Sequence, residues 1–372
     1  MSDRKKRRVV RGPRYIKSAY RERNIVLATT LLIMAIGIGF GVHTLVNANR
    51  AMNQAYQPAH VKKERNGSKL LKQRKPFSIL LMGTDTGEFG RNYKGRTDSL
   101  MLAVVNPQKK TTTLVSLPRD SIVAPVGYES EFPAKLNSAY EYGSAKTSIQ
   151  TVQQWLNVPI DYYAIVNMRG LEQVVNELGG IQVASPLTFE FNPETAHSDP
   201  GNLYKFTKGS THFTHTGKDD VTHSYDRMDG KAALAFSRMR YQDPQGDYGR
   251  QARQRLVIQG ISKKALSNPL RLADADFISA VSQSVKTDLS SHDIEQISGN
   301  YLLAGKTIKT GHLTGQTYDT KRGSSEFISS EVKQSVTNQL RKALDLKPAE
   351  TGPLYGGEVS EADLAQSGLP TP

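Results

Sequence analysis

Aspartate and arginine recur together at the ends of short apolar runs in this chain. Gly83-Thr84-Asp85 ends the run 77–83, Arg96-Thr97-Asp98 leads into 99–105, and Leu117-Pro118-Arg119-Asp120 closes 112–117. Far downstream, Ser237-Arg238-Met239-Arg240 is followed by Gly246-Asp247-Tyr248-Gly249-Arg250 and then by Arg253-Gln254. Aspartate offers hard oxygen donors to a divalent cation, and arginine a planar fork that matches a phosphate edge. A single Asp-Arg pair is ordinarily a surface salt bridge or a turn cap. Repeated at one strand end after another, the pattern points to a cation beside a clamp for phosphate oxygens. The chain has no cysteine, which excludes thiol nucleophiles, iron–sulfur centres and cysteine zinc sites.

Periodicity predicts the elements that must position these residues. Apolar runs at 77–83, 99–105, 112–117, 160–166 and 181–183 read as strands, and Asn106-Pro107-Gln108-Lys109-Lys110 separates the second from the third as in a hairpin. Helical spacing joins Ile149, Val152, Gln153 and Leu156, then Leu171, Val174, Val175 and Leu178 before the stop Gly179-Gly180. More helices are predicted over 231–239, 251–265, 277–285 and 294–303, with a last one carried by Val332, Val336, Leu340 and Leu344. Strands mixed with helices of this length make an α/β layered domain, and the hairpin makes its sheet mixed. Beyond Leu346 the chain turns to Pro, Gly, Glu and Ser, which predicts a disordered tail over 347–372.

The net charge of +14 is concentrated at one end. Residues 1–24 carry ten Lys/Arg against Asp3 and Glu22, residues 47–75 carry eight against Glu64, and the remainder is near neutral. Between the two basic flanks, residues 25–46 contain no Asp, Glu, Lys or Arg. Twenty-two such residues are enough to cross a hydrocarbon core of about 30 Å, and too many for the apolar part of a cleaved signal peptide. The expectation is a single transmembrane helix with residues 1–24 as a cytoplasmic tail and everything beyond it extracytoplasmic, a single-pass type II protein of the cell membrane. Residues 47–75 lack apolar periodicity and read as a basic stalk, either a solvated spacer or a segment resting on anionic headgroups.

The chain resembles the LytR-CpsA-Psr proteins of Gram-positive bacteria. The likeness rests on FSILLMGTD, GRTDSLMLAVVNP, TTTLVSLPRDS, KLNSAYEYG, VPIDYYAIVN, VNELGGIQV, ALAFSRMRY and GDYGRQARQ, in that order. It implies an α/β/α sandwich, here with a catalytic domain over 76–346, that holds a polyprenyl chain in an apolar groove. It also implies transfer of a glycopolymer, such as teichoic acid or capsule polysaccharide, from undecaprenyl pyrophosphate to the 6-hydroxyl of N-acetylmuramic acid in peptidoglycan. Carried over by position, Asp85 and Asp98 are the expected ligands of Mg²⁺, with Mn²⁺ as a substitute. Arg96, Arg119, Arg238, Arg240, Arg250 and Gln254 are the expected pyrophosphate contacts, and Asp247 joins them. Asp98, Arg119, Arg238 and Asp247 are the expected catalytic set, with Asp98 a candidate proton acceptor. The loop 86–95, with Gly87, Gly90 and Gly95, is longer than the family pattern and is expected to fold over the acceptor, and Arg255 stands where many relatives carry a second Gln.

Two other functions would use some of the same features. A polyprenyl-pyrophosphate phosphatase or pyrophosphatase would need the same site with water as acceptor. A cell-envelope regulator would explain a basic N-terminus, but two dozen residues cannot pack a DNA-binding domain, and their charge already serves membrane orientation, so no nucleic-acid partner is expected. His197, His212, His215 and His223 lack metal-ligand spacing. Trp155, Tyr162 and Tyr163 read as core or groove lining, and Asn137 as a helix cap as readily as a substrate contact.

Overall fold

The computed structural model describes residues 53–84, 95–268 and 285–371, with 277, 278 and 282. The segment 25–46 expected to span a membrane lies outside them, and no helix among the described residues is long and apolar enough to do so. In chain order the elements are α1 (Gly67–Lys72), β1 (Phe77–Thr84), β2 (Thr97–Asn106), β3 (Thr111–Leu117), β4 (Ile122–Val123), β5 (Ala134–Lys135), α2 (Ser138–Leu156), β6 (Tyr162–Asn167) and α3 (Met168–Glu177). Then follow β7 (Phe189–Phe191), β8 (Leu203–Phe206), β9 (Phe213–Thr216), β10 (Thr222–Tyr225), α4 (Gly230–Arg238), α5 (Asp247–Ser267) and β11 (Val285–Thr287). The last are α6 (Ser291–Asn300), β12 (Thr307–His312), β13 (Gln316–Thr320), β14 (Gly323–Phe327), α7 (Ser330–Ala343) and α8 (Glu361–Ser367).

The central sheet runs β11-β6-β1-β2-β3-β12. Its β1/β2, β2/β3 and β11/β6 pairs are antiparallel and its β6/β1 and β12/β3 pairs parallel, so the sheet is mixed as the hairpin implied. Alternate residues of β2 serve opposite faces. Leu100, Leu102 and Val104 pack with Ile149, Val152 and Trp155 of α2 and with Val336 and Leu340 of α7. Met101 and Ala103, with Leu114 of β3, meet Ile258 of α5 on the other face. Helices thus cover both sides, giving α/β/α layers. A second sheet, β10-β9-β8-β7, joins α3 and α4 in a separate aromatic-rich core that includes Phe189, Phe206 and Phe236.

Four expectations change. The residues beyond Leu346 are ordered against the body: Trp155 Nε1 donates to Leu354 O at 3.0 Å, and buried Lys333 donates to Gly352 O and Pro353 O at 2.8 and 2.6 Å. Ala124 bridges to Gly356, and Leu354, Tyr355 and Leu369 fill a pocket with Ile122 and Ala124. Polar composition concealed this, because the anchors are backbone carbonyls and three dispersed apolar side chains. Residues 53–75 are likewise docked rather than a free stalk. Lys63 pairs with Asp288 at 2.6 Å, Arg65 with buried Asp161, and Leu71 inserts between Phe77, Tyr162 and Tyr301. The run 181–183 forms only a bridge from Ile181 to Met228. Of the predicted helix 277–285, the described residues 277, 278 and 282 are helical, and only its last residue, Val285, differs, opening β11.

Candidate active site at the end of the central sheet

The register of the hairpin builds the first half of the site. Leu100 of β2 faces Leu117 of β3, so continuing the antiparallel pairing by two residues sets Asp98 opposite Arg119. Arg119 Nη1 donates to Asp98 Oδ1 at 2.8 Å, and Arg119 Nε lies 3.4 Å from Asp120 Oδ2. Asp120 is held in turn by Lys135 Nζ at 3.0 Å. Burial works against the Arg119 charge, yet Asp120, Asp247 and Asp98 outweigh it and hold the guanidinium above its ordinary pKa.

The second half comes from α5. Asp247 sits in its first turn, where the helix dipole favours a carboxylate, after Gly246 at φ +52°. Arg250 and Gln254 follow at i+3 and i+7 and share its face. Arg250 is ion-paired with Asp247, yet burial and the neighbouring cations Arg119 and Arg240 leave its pKa lowered. Its Nε and the Gln254 Oε1 are buried without a hydrogen-bond partner. A buried cation whose charge is disfavoured, with a donor unused, still lacks a full set of acceptors. It is preorganised for an anion.

Arg253, one residue before Gln254, does something different. It is fully buried, donates to Phe236 O at 3.0 Å and to Met239 O, pairs with Asp243, and lies over the Phe189 ring. It ties down the backbone that presents Arg238 and Arg240. Gly249 lacks a side chain because a Cβ there would stand 2.0 Å from the Asp243 carboxylate.

Continuing along the same face, α5 turns from charged to apolar: Val257, Ile258 and Ile261 line a cavity of about 240 Å³. Leu81, Met101 and Val166 of the sheet and Leu171 and Val174 of α3 complete its apolar wall. Asp98, Arg238 and Gln254 belong to the same lining. The cavity therefore combines an apolar slot with the anion-binding groups.

The sequence-predicted residues divide as follows. Asp98, Arg238 and Gln254 line the cavity, Arg119, Asp247 and Arg250 cluster beside Asp98, and exposed Arg240 lies close enough to depress the Arg250 charge. Arg96 does not turn to Arg119; it donates to Glu141 of α2 at 2.7 Å and is half-exposed. Asp85 and the glycine loop through residue 94 lie outside the described residues. Arg255 donates to Ser116 Oγ at 2.7 Å. His215 stacks on Tyr204 and bonds Asn202, while Trp155 and Tyr163 are core. Sequence reasoning missed Tyr248 and Glu326, whose side chains are hydrogen-bonded beside Asp247. Only the Tyr after Asp247 in the motif hinted at them.

Among the described residues no group of three or more His and carboxylate side chains could enclose a metal. A cation with the habits of Mg²⁺ does not need one, because it takes one or two carboxylates and completes its shell with water and phosphate oxygens. Asp98, partly exposed on the cavity lining with one oxygen committed to Arg119, fits that partial role.

The sequence profile of the LytR_cpsA_psr family matches residues 40–342. A polyisoprenyl-teichoic acid–peptidoglycan teichoic acid transferase TagU of Enterococcus faecalis is 36% identical over 323 residues, covering 87% of this chain and 97% of the relative. Biofilm regulatory protein A of Streptococcus mutans is 37% identical over 326 residues, 81% of this chain and 74% of that one. A crystal structure of a Streptococcus agalactiae protein superposes with a TM-score of 0.66 at 33% identity, covering 79% of this chain and 95% of the other.

Proposed function

The chain belongs to the LytR-CpsA-Psr family, and from that premise we propose that it transfers a glycopolymer from a polyprenyl pyrophosphate carrier to peptidoglycan. The reading includes an N-terminal membrane anchor at 25–46, an extracytoplasmic catalytic domain, and the muramic acid hydroxyl as acceptor in a phosphodiester product. The observation that carries it is an apolar cavity whose lining includes Asp98, Arg238 and Gln254, with Arg119 and Arg250 beside Asp98 at its charged end. A donor with a long hydrocarbon chain and a pyrophosphate head has that same division.

In this mechanism the cavity takes the first part of the polyprenyl chain, burying apolar surface that would otherwise face water. Arg119, Arg238, Arg250 and Gln254 hold the pyrophosphate oxygens, with Arg240 at the open side. Asp98, with Asp85, would hold Mg²⁺ or Mn²⁺, which when bound supplies further neutralisation of the pyrophosphate charge. The clamp acts most strongly as charge accumulates on the departing phosphate, because its donors are already oriented. Asp98 and Asp247 keep Arg119 and Arg250 in place between turnovers.

The test is to incubate the detergent-solubilised full chain with a polyprenyl pyrophosphate-linked oligosaccharide, Mg²⁺ and peptidoglycan fragments, and to follow products by mass spectrometry. The expected product is a phosphodiester-linked adduct with released polyprenyl phosphate. Free phospho-oligosaccharide without adduct would make the protein a hydrolase, and no turnover with several donors would leave it a lipid-binding module.

A further inference from the structure

Deepening the transferase reading on which it rests, we propose that Glu326 is the proton acceptor for the incoming hydroxyl, aligned by Tyr248 on the side of Asp247 and Asp120. In the reaction proposed above, the acceptor oxygen forms a bond to the sugar-linked phosphorus. The bond from that phosphorus to the bridging oxygen breaks, and the electron pair leaves with polyprenyl phosphate. The hydroxyl proton then needs an acceptor. Asp98 is paired with the Arg119 guanidinium, and its role in the proposal is to hold the cation.

Glu326 is fixed beside the site, on the Asp120 and Asp247 side, from three directions. Its backbone N–H donates to Asp120 O at 2.9 Å, and Ser121 bridges to it, so β14 is sewn to the segment that carries Arg119. Lys135 Nζ ties the same strand through Ser324 O at 2.6 Å while holding Asp120. Tyr248 belongs to the first turn of α5, next to Asp247. Its hydroxyl accepts the Gly315 N–H at 2.9 Å, and its single proton is given to Glu326 Oε2. One carboxylate oxygen is thereby fixed, and Oε1 stays available on a partly buried side chain. The charged and titratable groups around the pair are Asp247 and Tyr248 from α5, Asp120 from the loop after β3, Lys135 from β5 and, across the Tyr248 ring, His312 from β12. Burial, then Asp247 and Asp120, raise the Glu326 pKa against the opposing pull of Tyr248 and Lys135. A carboxylate raised in this way is a stronger base near neutral pH than an ordinary one.

The experiment uses the full chain with a polyprenyl pyrophosphate-linked oligosaccharide and peptidoglycan fragments, and records transfer rates against pH for the unsubstituted protein and for Glu326→Gln, Glu326→Asp and Tyr248→Phe. Glu326→Gln is expected to lower kcat by about 10²-fold or more with little change in donor KM, and to abolish the acidic limb of the profile. Glu326→Asp is expected to restore part of the rate with the limb intact. Tyr248→Phe, which removes a hydrogen bond favouring the carboxylate, is expected to move that limb to higher pH. Wild-type turnover, or an unchanged acidic limb, in Glu326→Gln overturns the assignment while leaving the transferase standing. A loss in Glu326→Gln that Glu326→Asp does not relieve, accompanied by a fall in Tm in both, overturns it as a structural effect. Absence of transfer by the unsubstituted chain overturns the transferase reading and the role of Glu326 with it.

Discussion

Replacing Arg250 with Met separates the anion-binding account from a structural one. The side chain is 12% exposed, is ion-paired with Asp247, and has its charge disfavoured by burial and by Arg119 and Arg240. Losing the Asp247 pair and the attraction of Asp98 costs stability, but loss of a desolvated cation repelled by Arg119 and Arg240 returns part of it. Asp247 also keeps the N-terminal end of α5 as a partner. The net change should stay within about 1 kcal/mol, or roughly 2–4 °C in Tm. Catalysis has no such offset, since the buried Nε without a partner is one of the donors meant for the pyrophosphate. Removing one preorganised donor from a site of developing charge costs about 3 kcal/mol in the transition state, close to 10²-fold in rate. The assay is transfer from the lipid-linked donor, normalised to folded protein, beside a thermal melt. A fall in Tm of 10 °C or more with near-normal turnover per folded molecule would refute the reasoning and make Arg250 a structural residue.

Three further perturbations test other parts of the structure. Ala164→Phe, placed in the wall of the cavity, should leave or raise Tm by filling space, yet reduce turnover of a long-chain donor about tenfold more than that of a short-chain one; equal loss on both donors would contradict lipid occupancy. Truncation after Leu346 removes the acceptors of Trp155 Nε1 and two of those of Lys333. At about 1–3 kcal/mol for each orphaned donor, plus lost apolar packing, Tm should fall by roughly 10 °C, and an unchanged melt would show that the segment is dispensable. Treatment with EDTA should abolish transfer and added Mg²⁺ restore it, with little change in Tm because Asp98 already has Arg119; activity that survives EDTA removes the metal from the mechanism.

The part of the site that was legible in the sequence is the part set by local rules. Strand β2 and β3 could be read from apolar runs and a break, and their antiparallel register alone brings Asp98 to Arg119. A helix over 251–265 was legible as well, but it begins earlier, at Asp247, and that extra turn is what sets Asp247, Arg250 and Gln254 at i, i+3 and i+7. What was not legible depends on long-range packing. Arg253 stands in the same Asp-Arg pattern with no role assigned to it, and its partners Phe236 O and Met239 O are set by how α5 lies on α4. Arg96 sits beside a sequence-predicted metal ligand but is turned to Glu141, a choice made by the placement of α2. Glu326 carried no motif, because its meaning comes from a strand docked on the Asp120 segment some two hundred residues earlier. The basic residues at 62–65 read as a solvated stalk only until Asp161 and Asp288 are folded against them.

The most direct measurement of the central claim is the fate of a label. A donor carrying ³²P only in the phosphate attached to the sugar would be incubated with the full chain and intact peptidoglycan, and the products separated into lipid, soluble and insoluble fractions. Transfer of the glycopolymer as its phosphate ester predicts that the label enters the peptidoglycan fraction and is released from it by muramidase. Label retained in the lipid phosphate, or recovered only as soluble phosphate or phospho-oligosaccharide, would contradict it.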